Sequence, residues 1–133
     1  MAQPTPEYFA ALTELVEQTL DKISLKRLEY NPQRALWEVH GVMAQFTVRC
    51  KEIFIQAGRM YSYYVIEGDN VAMGFDNYPD RQALQQKYGQ AFMAHLDELI
   101  PHKHGPGKTT LELTEDMMVE RFLSVVCQEL LEP

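Results

Sequence analysis

Cysteine, basic charge and long apolar runs are all scarce in this sequence. Its 133 residues include two cysteines, Cys50 and Cys127, and no CxxC or Cys/His spacing of a metal site surrounds them. We therefore expect two buried free thiols rather than a disulfide or a reactive nucleophile. With 12 basic and 19 acidic residues the net charge is −7, which excludes a uniformly basic nucleic-acid binder but leaves room for a local basic face.

Signals for export, membrane insertion and several common chemistries are absent too. The longest apolar runs are a handful of residues, far short of a membrane span. The segment from Met1 to Glu7 lacks the basic and apolar parts of a signal peptide. No GxxxxGK(S/T), GxGxxG, HExxH or GxSxG motif occurs. We expect a cytoplasmic protein in which nucleotide hydrolysis, dinucleotide chemistry, zinc proteolysis and serine hydrolysis have no motif support.

What is present is the composition of one folded domain. Apolar residues make up 46% of the chain and charged residues 23%, close to the average of globular proteins. A chain of this length can bury a core without cross-links. No repeat or linker divides it, so we expect residues 1–133 to form a single domain.

Three segments have the periodicity or the caps of helices. Thr5-Pro6-Glu7 combines an N-cap, a proline at the first helical position and an acid in the first turn. Apolar residues then recur at steps of three and four: Phe9, Leu12, Val16, Leu20 and Ile23. Asp80 is predicted to cap a central helix that runs to Leu99, and Thr114 is predicted to cap a C-terminal helix.

Between about residues 24 and 77 the pattern is that of antiparallel strands. Turn signals separate the strands at Asn31-Pro32-Gln33, Ala57-Gly58-Arg59 and Glu67-Gly68-Asp69-Asn70. The alternation changes parity after Cys50, which predicts a β-bulge near Lys51-Glu52. The expected fold is α+β: a curled antiparallel sheet of about five strands in a meander, with an N-terminal, a central and a C-terminal helix packed on one face.

Basic residues concentrate in the strand region. From Ser24 to Ile66 six basic and three acidic residues give +3, so the remainder of the chain carries −10. Arg49 and Lys51 share strand parity, and their side chains therefore leave the same face. That face either binds a polyanion or is a solvated surface that discourages edge pairing.

The strongest local signal for chemistry is Pro101-His102-Lys103-His104-Gly105. On an extended segment His102 and His104 point the same way and Lys103 faces elsewhere. One imidazole could accept a proton while the other donates one, and a nearby cation could stabilise a phosphoryl transition state. The same pair could hold a divalent metal with Asp76 as a third ligand, or the segment could be a loop without chemical function.

A run of tyrosines and an Asp-Asn turn are the other signals. Tyr61 and Tyr63 share one strand face and Tyr64 takes the other. Aromatic pairs on a sheet either stack unpaired bases or pack against neighbouring strands. Asp76, which precedes Asn77, either orients an imidazole or serves only in a turn.

Taken in order, the Tyr61-Ser62-Tyr63-Tyr64 strand, the Asp76-Asn77 turn with Pro79, and the Pro101–Gly105 loop resemble the TumE-like toxin family of bacterial and archaeal toxin–antitoxin pairs. That family has a Tyr-x-Tyr-His-type strand, an Asp-Asn-x-Pro-His turn and a Pro-His-His-Lys-His-type loop. Here Asp80 replaces the His of the turn, and the loop has one His fewer. The resemblance implies a small cytoplasmic toxin-like protein encoded beside a helix-turn-helix antitoxin, with RNA cleavage as the expected activity.

Three functional hypotheses follow. The first is a metal-independent ribonuclease toxin that needs no cofactor, in which the two imidazoles exchange protons. Its predicted catalytic residues are His102, Lys103, His104 and Asp76, and its predicted substrate-binding residues are Tyr61, Tyr63, Arg49 and Lys51. The second is a non-enzymatic module whose acidic helices dock a basic DNA-binding partner. The third is a metal-dependent hydrolase that uses Asp76, His102 and His104.

Overall fold

A computed structural model of the chain, which describes residues 4–131, shows an α+β fold built on one curled antiparallel sheet. Seven strands lie side by side in chain order, which confirms the predicted meander. They are β1 (Asp21–Tyr30), β2 (Ala35–Met43), β3 (Phe46–Ile55), β4 (Gly58–Glu67), β5 (Asn70–Asp76), β6 (His102–His104) and β7 (Leu111–Leu113). The count exceeds the predicted five because two three-residue strands extend one edge of the sheet. Met1, Ala2 and Gln3 of the segment analysed for a signal peptide lie outside the described residues.

The helices are shorter than their sequence patterns predict. Helix α1 (Pro6–Thr19) begins as predicted, because the Thr5 hydroxyl accepts a hydrogen bond from the Tyr8 amide. It ends before Ile23, which lies in β1. Helix α2 (Arg81–Tyr88) is capped by Asp80 as predicted. It does not reach Leu99.

The second helix ends at a glycine, and the third begins without a side-chain cap. Gly89 takes φ +60° and ψ −131° at the end of α2, and the chain continues as a 3-10 helix, Gly89–His95. Helix α3 (Val119–Val126) starts after Met118 with no side-chain cap, so the prediction that Thr114 caps it is wrong. A π-helical turn, Cys127–Leu131, follows α3. Within residues 4–131, no helix is long and apolar enough to cross a membrane.

The helices pack on both faces of the sheet, not on one face as predicted. Helices α1 and α3 cover one face, the core face, where Phe9 and Phe122 belong to the same buried cluster as Trp37 and Tyr63. The opposite face is called the outer face here. Leu111 lies on the outer face because it pairs with His104 across the ladder, and it belongs to a second buried cluster with Ala83, Leu84 and Ile100. Helix α2 therefore packs on the outer face, over the short edge strands.

The predicted bulge at Lys51-Glu52 is absent. Strand β3 pairs with β2 and β4 in continuous register. The alternation of apolar and polar residues is interrupted because Glu52 occupies a core-face position, where its carboxylate is 0% exposed. Hydroxyl groups of Tyr8 and Tyr63 donate to it at 2.7 and 2.5 Å, and the Arg59 Nε lies 3.4 Å away. A satisfied buried carboxylate, rather than an extra residue, breaks the alternation.

Candidate active site

Pairing of β6 with β5 brings the two predicted histidines beside Asp76. Asp76 lies directly opposite His102, and Gly74 lies directly opposite His104. Because alternate residues of a strand share a face, both imidazoles and the carboxylate lie on the outer face. Lys103 lies on the core face instead, with its amine 3.2 Å from Glu129. The prediction that Lys103 acts with the histidines is therefore wrong, since its intervening position turns it away from them.

Asp76 is the acceptor at the centre of the site. Its Oδ2 accepts a hydrogen bond from the Tyr64 hydroxyl at 2.6 Å, and its Oδ1 accepts one from the Tyr78 amide at 3.0 Å. The Nε2 of His102 lies 3.1 Å from Oδ1, and the Nε2 of His104 lies 3.7 Å from Oδ2. Burial alone would raise the pKa of Asp76, but hydrogen bonds from His102 and Tyr64 outweigh it and hold the pKa below its ordinary value of 3.8. The carboxylate is ionised at neutral pH.

His102 is enclosed between two acceptors. Its Nδ1 lies 2.6 Å from the Ile100 carbonyl oxygen, which can only accept, and its Nε2 faces the Asp76 carboxylate. Burial lowers the pKa of His102, but the bonds to Asp76 and to the Ile100 carbonyl raise it more, so the pKa lies above its ordinary value of 6.5. The side chain is 1% exposed. It can orient its neighbours but cannot touch a substrate directly.

His104 is the less buried of the two histidines, with its side chain 11% exposed against 1% for His102. Its ring stands at 87° to that of His102, with 4.9 Å between centroids. Burial, and then the positive charge of His102, hold the pKa of His104 below the ordinary value of 6.5. At neutral pH the ring is therefore uncharged and can accept a proton. The neighbouring Tyr64 keeps its proton, because burial and the bond to Asp76 raise the pKa of this phenol far above its ordinary value.

A cleft of about 320 Å³ opens above these groups. Its lining consists of Ser62, Tyr64, Asp76, Tyr78, Pro79, Asp80, His102, His104 and Lys108. The Lys108 ammonium lies 5.0 Å from the centre of the Tyr64 ring, at the rim of the site. Sequence reasoning missed Tyr64 and Lys108 as functional candidates. Strand parity places Tyr64 on the face of Asp76, which was the available signal, whereas Lys108 reaches the cleft through a 3-10 turn (Pro106–Lys108) that no pattern predicts.

Buried Asn77 holds the corner on which the site is built. Its side-chain oxygen accepts from the Tyr61 amide at 2.8 Å, and its side-chain nitrogen donates to the Arg59 carbonyl at 2.9 Å. Its own carbonyl accepts from the Ile100 amide at 2.9 Å. The Ile100 carbonyl in turn faces His102, so Asn77 positions both Asp76 and the group that orients the buried imidazole.

The structure separates the remaining predicted residues. Tyr61 and Tyr63 are 0% exposed on the core face, with ring centroids 5.1 Å apart. Neither ring can stack on a base, so their predicted role in substrate binding is wrong; they pack in the core. Arg49 and Lys51 lie on the outer face, directly opposite Tyr64 and Ser62. They are therefore on the same surface as the cleft.

Asp76, His102 and His104 also fit a metal ion by type and spacing. One ligand atom from each lies within 4.8 Å of the others, and two imidazoles with one carboxylate suit a divalent transition metal. The bond from His102 Nδ1 to the Ile100 carbonyl leaves Nε2 facing the other two ligands, as outer-shell partners of metal-bound histidines do. Such an ion would supply a Lewis acid at the floor of the cleft.

The pKa of His102 is raised and that of His104 is lowered, so the two histidines have opposite effects on how the stability of the fold depends on pH. A group with a raised folded pKa stabilises the fold below its ordinary pKa and loses that contribution as pH rises through the folded value. His102 behaves so, while the lowered pKa of Asp76 adds stability that is lost only at acid pH. In a His104→Ala background, which removes the opposing histidine, we expect His102→Gln to lower the free energy of unfolding most between pH 3.8 and 6.5. Urea unfolding from pH 4 to 9 checks this, and a pH-independent difference would contradict it.

The close contact between Gly74 and Tyr64 gives a second prediction. A Cβ on Gly74 would lie 2.1 to 2.7 Å from three atoms of the Tyr64 ring, so the ring would have to move, which would disturb its hydrogen bond to Asp76. We expect Gly74→Ala to lower the free energy of unfolding by about 1–3 kcal/mol, as overpacking does. In a Tyr64→Ala background the same change should cost little, because the clash is gone. Equal costs in the two backgrounds, measured by urea unfolding, would contradict this geometry.

No protein-family model matches the chain, and no curated protein or solved structure matches it either.

Proposed function

We propose that this protein is the toxin-like component of a toxin–antitoxin pair and cleaves RNA at the cleft above Asp76, without a metal. The observation that carries the proposal is the convergence of Asp76, His102, His104 and Tyr64 in one recessed cleft with Lys108 at its rim. An uncharged imidazole beside a cation is suited to remove a proton next to a phosphate.

In this mechanism His104 takes the proton from a ribose 2′-hydroxyl. The freed oxygen attacks the adjacent phosphorus and forms a 2′,3′-cyclic phosphate, while the bond to the 5′-oxygen breaks and that oxygen takes a proton from water at the open side. Lys108 lies where it can stabilise the charge that develops on the phosphoryl oxygens. The buried pair of His102 and Asp76 orients His104 and does not exchange protons with the substrate, because His102 is enclosed.

Incubation of the purified protein with RNA tests the proposal. We expect single-stranded RNA to yield products that end in a 2′,3′-cyclic phosphate, at a rate that EDTA does not change. A DNA strand of the same sequence, which lacks the 2′-hydroxyl, should stay intact. Cleavage no faster than that of the His104→Ala variant, or equal cleavage of the DNA, would refute the mechanism.

A metal-dependent hydrolase is the second candidate function. It is favoured by the 4.8 Å cluster of ligand atoms and by the Ile100 carbonyl that supports His102. Titration with Co²⁺ followed by visible absorption tests it, because a protein ligand set gives bands that free Co²⁺ lacks. Activity that EDTA removes and a divalent ion restores would favour this candidate, and failure to bind stoichiometric metal would exclude it.

The toxin proposal also includes a protein partner. Acidic side chains of α1, among them Glu7, Glu14 and Glu17, are exposed on the molecule, and acidic surfaces speed association with basic partners. The partner expected from the resemblance is a helix-turn-helix antitoxin. Co-expression with an adjacent helix-turn-helix reading frame should give a complex on size-exclusion chromatography, and separate elution at low salt would count against the pair.

A further inference from the structure

We propose that the outer face carries a binding track for single-stranded RNA, which leads from the cleft across β4 to Arg49 and Lys51 on β3. The inference rests on the proposed function, since it names the form of the substrate and the path that it takes. Three observations carry it: the distribution of unpaired cations, the register of the strands and the depth of the cleft.

Unpaired cations gather on this face. All 12 lysines and arginines lie within residues 4–131, and six of them form ion pairs with carboxylates. Of the other six, Arg49, Lys51 and Lys108 lie beside or next to the cleft on the outer face. A cation without a carboxylate partner can bind phosphate without first breaking an ion pair. Half of the unpaired cations therefore stand where a polyanion approaching the cleft would meet them.

Strand register places these cations in line with the site. Asp76 lies opposite Ser62, and Ser62 lies opposite Lys51 on the next strand. Neighbouring strands are about 4.8 Å apart, so Lys51 stands about 10 Å from Asp76 across the sheet. Arg49 lies directly opposite Tyr64, whose hydroxyl bonds to Asp76. An RNA strand that leaves the cleft and crosses the β-strands passes Tyr64 and Ser62 and then reaches both cations.

The track ends after β3. Glu38 lies opposite Lys51 on β2, and its carboxylate is 2.8 Å from the His40 ring. A carboxylate there repels a further phosphate, so the surface accommodates a short stretch of backbone beyond the cleft. Asp80, which also lines the cleft, repels phosphate on the side away from β3. The RNA strand is therefore expected to leave the cleft toward β3.

The depth of the cleft favours a single strand over a duplex. Asp76 is only 7% exposed, and Pro79, Asp80 and Lys108 line the cleft with it. The backbone of a duplex is stiff, so it cannot bend to bring one phosphodiester down to a carboxylate that is buried to this degree. A single strand can bend into the cleft, and its unstacked bases can then contact the half-buried Tyr64 and Tyr78.

Direct measurement of binding tests the track. A fluorescein-labelled RNA of ten nucleotides is titrated by anisotropy against the His104→Ala variant, in which binding proceeds without cleavage, at several salt concentrations. We expect Arg49→Ala/Lys51→Ala in this background to reduce the slope of log Kd against log salt by about 1.4, since each contact to a single-strand phosphate contributes about 0.7. The matched control is Lys22→Ala/Lys26→Ala, which removes two unpaired cations on β1 and should leave the slope unchanged.

The outcomes separate this inference from the proposed function. An equal loss in both double variants, or a duplex of the same sequence that binds as tightly as the single strand, would overturn the track even if RNA is cleaved. Binding that depends on Arg49 and Lys51 supports the track, and if the unmutated protein then leaves the same RNA intact, the proposed cleavage is wrong while the binding surface stands.

Discussion

Replacement of His104 by alanine should lower the rate of RNA cleavage by about 100- to 10,000-fold, the usual contribution of a general base. The imidazole lines the cleft and its pKa lies below 6.5, so it is uncharged at neutral pH, whereas His102 is only 1% exposed. Single-turnover cleavage of a defined RNA measures the effect. His95→Ala is the matched control, because that ring stacks on Tyr88, away from the cleft lining. Equal losses in the two variants would contradict the assignment.

The pH profile of the same reaction distinguishes a base from a structural residue. Burial and the charge of His102 lower the pKa of His104, so the midpoint of the acidic limb of the rate profile should lie below pH 6.5. His102→Gln removes that charge, so the limb should move to higher pH even if the maximal rate also drops. A limb that stays in place would show that His102 does not act through His104.

Replacement of Arg59 by methionine should lower the free energy of unfolding by about 3–5 kcal/mol, the usual effect of removing one partner of a buried ion pair. Arg59 is the only cation in contact with the fully buried Glu52 in the part of the chain that the structure describes. Its guanidinium also bonds to the Tyr63 hydroxyl at 2.6 Å and to the Met117 carbonyl at 2.7 Å. Stabilities of this size of domain are about 5–15 kcal/mol, so the loss should be a large fraction of the total.

Chemical denaturation of three variants checks the origin of this loss. Glu52→Leu/Arg59→Met removes both charges and should recover part of the stability that Arg59→Met loses, because no unpaired carboxylate remains in the core. Arg121→Met breaks an exposed pair with Glu115 and should change the free energy of unfolding by at most about 1 kcal/mol. If the double variant is less stable than Arg59→Met, the buried charge is not the cause.

Local patterns determined much of the fold. The Thr5 and Asp80 caps, the turn at Asn31 and the Glu67–Asn70 hairpin depend on contacts between residues a few positions apart, and the structure confirms them. A meander needs only such short connections, which is why its strand order was predictable. The pointing of His102 and His104 to one side likewise follows from the alternation of an extended chain.

Only tertiary structure decided which chemical groups meet. Register between β5 and β6 places Asp76 opposite His102, and no pattern within either segment encodes a pairing across 25 intervening residues. Burial turned Tyr61 and Tyr63 into core residues and left Tyr64 at the site.

The sequence by itself therefore determined the five long strands, the turns between them and the presence of an imidazole pair, because backbone geometry and residue type act locally. The packing of Glu52 against Arg59 and the position of α2 on the outer face depend on partners distant in the chain. A polar residue in a strand satisfies the local pattern equally well as a surface group or as a buried one, and only the groups that the fold brings to it decide between them.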